Sequence, residues 1–149
     1  MLTARDIMSN EVVTVTEEAT VKELARILAI HQISGVPVIN DQGGLVGVVT
    51  ESDLIFQTKK VHIPTVITIL DSVFYLENPH KMGDELKKMA AVKVTDILTS
   101  SPVTVQEDTT LDEIATLMAE KNVHTLPVMR DDILVGVIGK KDIIRTLID

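Results

Sequence analysis

Ser34-Gly35-Val36-Pro37-Val38-Ile39, followed by Gly47-Val48-Val49-Thr50-Glu51-Ser52-Asp53, decides the fold, because the chain writes this stretch twice. The second version is His124-Thr125-Leu126-Pro127-Val128-Met129 followed by Gly136-Val137-Ile138-Gly139-Lys140-Lys141-Asp142. Working outward, a shift of 90 residues pairs Asp6-Ile7-Met8 with Asp96-Ile97-Leu98, and Val13-Thr14-Val15 with Val103-Thr104-Val105. Thr20, Glu23 and Ala25 fall on Thr110, Glu113 and Ala115. Past the loop the shift drops to 89, so that Leu45-Val46-Gly47-Val48 matches Leu134-Val135-Gly136-Val137 and Asp53 matches Asp142. One deletion in a turn accounts for the change. A unit of this length present twice reads as a duplicated half-domain rather than a solenoid repeat.

Each copy carries the same local signals. Val12 to Val15 alternates like a short strand, and Thr20 followed by Glu23 is a capping box that opens a helix. Val21, Leu24, Ala25 and Leu28 then share one helical face, as do Leu111, Ile114, Ala115 and Met118 in the second copy. Val36 to Ile39, the turn Asn40 to Gly44, and Leu45 to Val49 form two strands with a hairpin-like turn, and a second helix starts at about Glu51. Leu126 to Met129, the turn Arg130-Asp131-Asp132, Leu134 to Ile138 and a helix with Ile143, Ile144, Leu147 and Ile148 repeat that order. The expected fold is mixed α/β (α+β): two pseudo-symmetric β-α-β-β-α halves, residues 1–58 and 93–149, around an insert at 59–92. In the insert, Val66, Ile69, Leu70 and Val73 after Pro64 predict an amphipathic helix, and Asp84 to Met89 a second short one. The pair either covers apolar surface as a helical hairpin or meets a partner.

The composition narrows the function. A chain of 149 residues suits one compact domain or two tightly joined halves. Apolar residues make up 45% of it, yet only Phe56, Phe74 and Tyr75 are aromatic, so the core is aliphatic. A net charge of -8 disfavours a nucleic-acid partner, because phosphate neutralisation needs a basic face. The absence of cysteine removes disulfides, thiolate nucleophiles and thiolate metal sites. No apolar stretch follows the start of the chain, so no signal peptide is visible and a cytoplasmic location is expected. The most apolar window, Val61 to Leu76, contains His62, Pro64 and Asp71 and falls short of the roughly 20 residues a membrane span needs.

The runs SGVPVI with GVVTESD and HTLPVM with GVIGKKD resemble the CBS motif, over Ala4 to Phe56 and Val94 to Asp149. The resemblance implies a CBS pair, or Bateman module, of the stand-alone type, with two motifs packed across a pseudo-two-fold axis. It implies two clefts that hold AMP, ADP, ATP, S-adenosylmethionine or a related adenine compound, a regulatory rather than catalytic role, and no required cofactor. It further implies a homodimer through exposed helices, those ending at Gln57 and Asp149, and a separate effector protein to receive the signal. Gly35-Val36-Pro37 and Thr125-Leu126-Pro127 would by this resemblance flank the adenine. Alternatively, Pro37 and Pro127 merely start edge strands.

Read as chemistry, Asp53 offers a carboxylate for both hydroxyls of a ribose, and Thr50, Ser52 and the amides at the start of the following helix suit a phosphate. The same Thr50-Glu51-Ser52-Asp53 is also a capping pattern that needs no ligand. In the second copy Gly139 replaces Thr50 while Asp142 remains, which puts that cleft in doubt, and Lys140 and Lys141 either supply charge to a phosphate or are solvated. Thr14 and Thr104 point a hydroxyl into a cleft or are ordinary strand residues. His124 stands where Ser34 does, beside the adenine wall or simply at the surface. Arg5, Arg130 and Arg145 are either phosphate partners on motif edges or solvated. His31, His62, His80 and His124 lack the spacing of a metal-binding helix, so no metal is expected. No Ser-His-Asp order, phosphate loop or paired-carboxylate motif is present, and no catalysis is expected. The competing expectation is a structural or dimerisation module with degenerate or empty clefts.

Overall fold

The computed structural model describes residues 1–61 and 92–148, and the side chains of all of these but 57–61. The two insert helices expected after Pro64 and at Asp84 to Met89 lie outside these residues. The first half runs α1 (Ala4–Ile7), β1 (Val15–Thr16), α2 (Val21–His31), β2 (Gly35–Ile39), β3 (Leu45–Thr50) and α3 (Glu51–Val61). The second runs from a 3-10 turn (Val94–Asp96) through β4 (Val105–Gln106), α4 (Leu111–Lys121), β5 (Thr125–Arg130) and β6 (Ile133–Gly139) to α5 (Lys140–Thr146). Strand, helix, strand, strand, helix is therefore the order in both halves, as expected.

Capping chemistry sets the long helices. The Thr20 hydroxyl accepts from the Glu23 amide at 3.2 Å while the Glu23 carboxylate accepts from the Thr20 amide at 3.3 Å, and Thr110 likewise takes the Glu113 amide. Both helices stop at a left-handed residue, Gln32 and Asn122, each with φ 52. In α2 the apolar stripe Val21, Leu24, Ala25 and Leu28 is buried throughout. In α4 only Ile114 and Met118 are buried; Leu111 is half-buried and Ala115 is exposed, so the expected face is narrower there.

Each half carries a three-stranded sheet, ordered β1-β2-β3 and β4-β5-β6, with the first pair parallel and the second antiparallel. β1 begins at Val15, later than the alternation over Val12 to Val15 suggests. Pro37 and Pro127 lie inside the central strands β2 and β5, so they do not start edge strands. The register explains how a central strand accepts a residue without an N–H. Val48, opposite Pro37, exchanges its hydrogen bonds with Thr99 at 3.1 and 2.9 Å and so turns them away from β2. On the other flank β1 pairs only from Val38 onward, which leaves position 37 without a neighbour to serve.

The two halves interlock. The segment preceding each β-α-β-β-α run packs on the other half: Ala4, fully buried, joins Val105, Ile114, Leu126 and Ile138, while Val94, fully buried, joins Leu24, Val36, Val49 and Leu54. Backbone hydrogen bonds fix both straps, from the Ala4 amide to Thr109 O at 2.8 Å and from the Val94 amide to Ala19 O at 2.9 Å. Gly47 and Gly136 permit the close approach. A Cβ on Gly47 would meet Leu98 Cδ1 at 2.7 Å, and one on Gly136 would meet Met8 Cγ at 2.8 Å.

Candidate functional site

The duplicated strand-turn-helix brings its polar residues to the place where the halves touch. Gly35 pairs with Thr50 across β2 and β3, and Thr125 pairs with Gly139 across β5 and β6. The Ser34 and Thr125 hydroxyls meet across the halves at 3.4 Å. A Cβ on Gly35 would lie 2.8 Å from Thr125 Oγ1 and 2.9 Å from Thr50 Cγ2, so glycine is what lets the halves close. Ser34, Gly35, Thr50, Asp53 and Thr125 thus form one connected group, which reaches Gly139 and Asp142 through the β5–β6 pairing. Val36, Pro37, Leu126 and Pro127 are buried behind it.

Asp53 is anchored as a cap. Its Oδ2 accepts from the Thr50 amide at 2.9 Å and from the Thr50 hydroxyl at 3.1 Å, while the Asp53 amide donates to Thr50 Oγ1 at 3.3 Å. The Glu51 amide donates to Ser34 O at 2.8 Å. Oδ1 accepts no hydrogen bond from the described residues, and Asp53 as a whole is half-buried. Asp142 repeats the cap without the two bonds that the Thr50 hydroxyl makes: Oδ2 takes the Gly139 amide at 2.7 Å, and Oδ1 lies 3.6 Å from Arg145. A Cβ on Gly139 would meet nothing nearer than 3.8 Å, so the second motif keeps open space where the first has the Thr50 side chain.

The other candidates fall outside this hydrogen-bonded group. Ser52, His124 and Lys140 are exposed. Lys141 reaches across the halves, donating from Nζ to Gln32 O at 3.0 Å, where an ammonium complements the C-terminal end of α2. Thr14 and Thr104 are half-buried just ahead of β1 and β4. Thr104 lines an open groove of about 570 Å3 between β4 and α4, along with Gln106, Thr109, Asp112, Glu113 and Thr116; none of the other candidate residues lines it.

Arg5 and Arg130, read in the sequence as phosphate partners or solvated groups, are ion-paired. Both converge on Glu107, whose side chain is 8% exposed: Arg5 Nε donates at 2.7 Å, and Arg130 donates through Nε and, at 3.3 Å, through Nη2. The hydrogen bonds from Arg130 and then Arg5 hold the Glu107 carboxyl at about 2, far below the usual glutamate range. This cluster pins the α1 strap to the second half. Nothing in the sequence pointed to it, since Arg5 and Glu107 lie 102 positions apart and the counterparts of Arg5 and Arg130 at the 90-residue shift, Thr95 and Asn40, carry no charge. Among the described residues no helix is long and apolar enough to cross a membrane.

Known proteins are similar to this chain in sequence or in fold. The uncharacterized protein MJ1426 of Methanocaldococcus jannaschii is 33% identical over 97% of this chain and 90% of its own. The crystal structure of CBSX2 in complex with AMP superposes with a TM-score of 0.73 at 24% identity, covering 99% of this chain and 97% of that one. The CBS domain pair of protein MJ0100, solved with 5-methylthioadenosine and S-adenosyl-L-methionine, superposes with a TM-score of 0.71 at 24% identity, covering 99% and 96%. The CBS domain family matches residues 4–59 and 94–149, the two copies of the repeat. With the motif present twice in sequence and twice in structure, the chain belongs to the CBS domain family and is a CBS pair.

Proposed function

We propose that this CBS pair is a regulatory, non-catalytic module of the cytoplasm that binds an adenosyl compound where its two motifs meet. The carrying observation is the Ser34–Thr125 contact between the halves, with the Thr50–Asp53 pair set against Gly35. A ligand wedged there touches both motifs at once, and so changes their packing by as much as it prefers one arrangement over another. The CBSX2 complex with AMP and the MJ0100 complex with 5-methylthioadenosine and S-adenosyl-L-methionine support adenosyl ligands of this size and kind.

The module is further proposed to act as a homodimer and to pass its signal to a separate effector. Support comes from the apolar residues left exposed near α3 and α5: Ile55, Phe56, Ile144, Leu147 and Ile148. Such a concentration of large apolar side chains marks an association surface.

A second reading, a structural module with empty clefts, is favoured by one fact: the Thr50–Asp53 pair is complete as a helix cap without any ligand. Calorimetric titration with AMP, ADP, ATP, S-adenosylmethionine and 5-methylthioadenosine separates the two. Micromolar binding of at least one, with no turnover of it, is the expected result. No heat from any of them at millimolar concentration would leave the structural module standing.

A further inference from the structure

We infer that Met8 is an oxidation site that controls the first strap: transfer of oxygen from hydrogen peroxide to its thioether loosens that strap where it crosses β6 and leaves the second strap closed. The two crossings are built alike. On the second half Met8 packs on Gly136, where a Cβ would collide with Sδ and lie 2.8 Å from Cγ, and Ser9 exchanges backbone hydrogen bonds with Val137 at 2.9 and 3.2 Å. On the first half Leu98 packs on Gly47, where a Cβ would lie 2.7 Å from Cδ1, and Thr99 exchanges hydrogen bonds with Val48 at 3.1 and 2.9 Å. The crossings differ in the chemistry of the side chain on the glycine. A thioether takes up oxygen from a peroxide, and a leucine side chain does not.

Met8 also sits where an oxidant reaches it and where the product matters. Among the described methionines, Met118 and Met129 are buried in the core and Met1 is exposed, whereas Met8 is half-buried and packed against the second core. In the reaction the sulfur lone pair attacks a peroxide oxygen, the O–O bond breaks and water leaves, so the sulfur is oxidised by two electrons as the peroxide is reduced. The sulfoxide oxygen is a polar acceptor, and the strand beneath it has no donor to give. Val137 donates its N–H to Ser9, and by the alternation of an antiparallel pair Gly136 turns its own N–H to Val128. An acceptor held in a packed contact without a partner opposes that contact. β6 runs on from this crossing to Gly139, which pairs with Thr125 where the halves touch, so the oxidised position and the junction share a strand.

The test treats the full chain with hydrogen peroxide, maps the sulfoxides by peptide mass and follows backbone amide exchange by NMR. Met8 should gain one oxygen, after which the Ser9 and Val137 amides should exchange at least about tenfold faster, the ratio that about 1.4 kcal/mol of lost closure gives. Thr99 and Val48 should keep their rates. Enzymatic reduction of the sulfoxide should restore slow exchange at Ser9 and Val137. Met8→Leu, which copies the Leu98 crossing, should stay slow at both amides in peroxide although its other methionines still oxidise. Met8 remaining a thioether under peroxide that oxidises Met1 overturns the inference, as does a Met8 sulfoxide with unchanged exchange at Ser9 and Val137. Both outcomes are read on the unmodified chain and need no variant to fold. Equal acceleration in Met8→Leu, or at Thr99 and Val48, overturns it as well, because the effect then arises elsewhere.

Discussion

Val94→Ala tests the interlocking of the halves most sharply, because Val94 belongs by sequence to the second motif and by packing to the first. Its side chain is fully buried among Leu24, Val36, Val49 and Leu54. Removing two methyl groups at about 0.8 kcal/mol each costs about 1.6 kcal/mol if the site collapses completely. A residual void of roughly 40 Å3 at about 24 cal/mol per Å3 adds about 1 kcal/mol if it does not collapse. With a urea slope of about 2 kcal/mol per M, the unfolding midpoint should fall by roughly 0.8 to 1.3 M. Thr95→Ala, at the exposed neighbour, should move it by less than about 0.25 M. Amide exchange then locates the damage: protection should drop first at Val36, Val38 and Val49 in the first half, ahead of Leu126, Val128 and Ile138. A midpoint shift no larger than that of Thr95→Ala, or exchange that accelerates in the second half alone, would refute the crossed packing.

Other consequences follow from the same geometry. The Glu107 carboxyl is depressed by its arginine partners, so its contribution to stability is complete above its usual value of 4.5 and is lost as pH falls toward about 2. Glu107→Gln should therefore flatten the urea midpoint between pH 5 and pH 2 relative to the unmodified chain; parallel pH profiles would rule the cluster out. Asp53→Ala removes a cap that accepts two hydrogen bonds, and should cost about 1 kcal/mol of stability while weakening adenosyl binding well beyond tenfold. If thermal stability falls and affinity does not, the residue is a cap alone. Leu147→Asp, at an apolar residue 81% exposed, should convert dimer to monomer in sedimentation velocity without lowering the melting temperature of the monomer; an unchanged sedimentation coefficient would move the association surface elsewhere.

The parts of this fold written in short-range signals were legible in the chain. The capping pairs Thr20–Glu23 and Thr110–Glu113 and the stripe along α2 sit where they were expected, and the strands expected over Leu45 to Val49 and Leu134 to Ile138 each run on to the next residue, Thr50 and Gly139. What escaped depends on long-range geometry. Nothing local to Ala4 or Val94 says that each completes the core of the opposite half. Pro37 reads as an edge residue until it is known that β1 starts too late to need its N–H and that Val48 turns to Thr99. Arg5 and Arg130 looked like free cations because Glu107, their partner, is buried by a strap that arrives from the far end of the chain. At the site itself, the sequence named both possibilities for Asp53, cap and sugar acceptor. The structure shows the cap, with Oδ2 as its acceptor.

Backbone amide shifts recorded during titration with 5-methylthioadenosine or AMP test the location of the ligand most directly. The junction account predicts that the largest changes fall on Gly35, Thr50, Thr125 and Gly139, from both halves together. Changes confined to Gln106, Thr109 and Thr116, in the groove between β4 and α4, would contradict it.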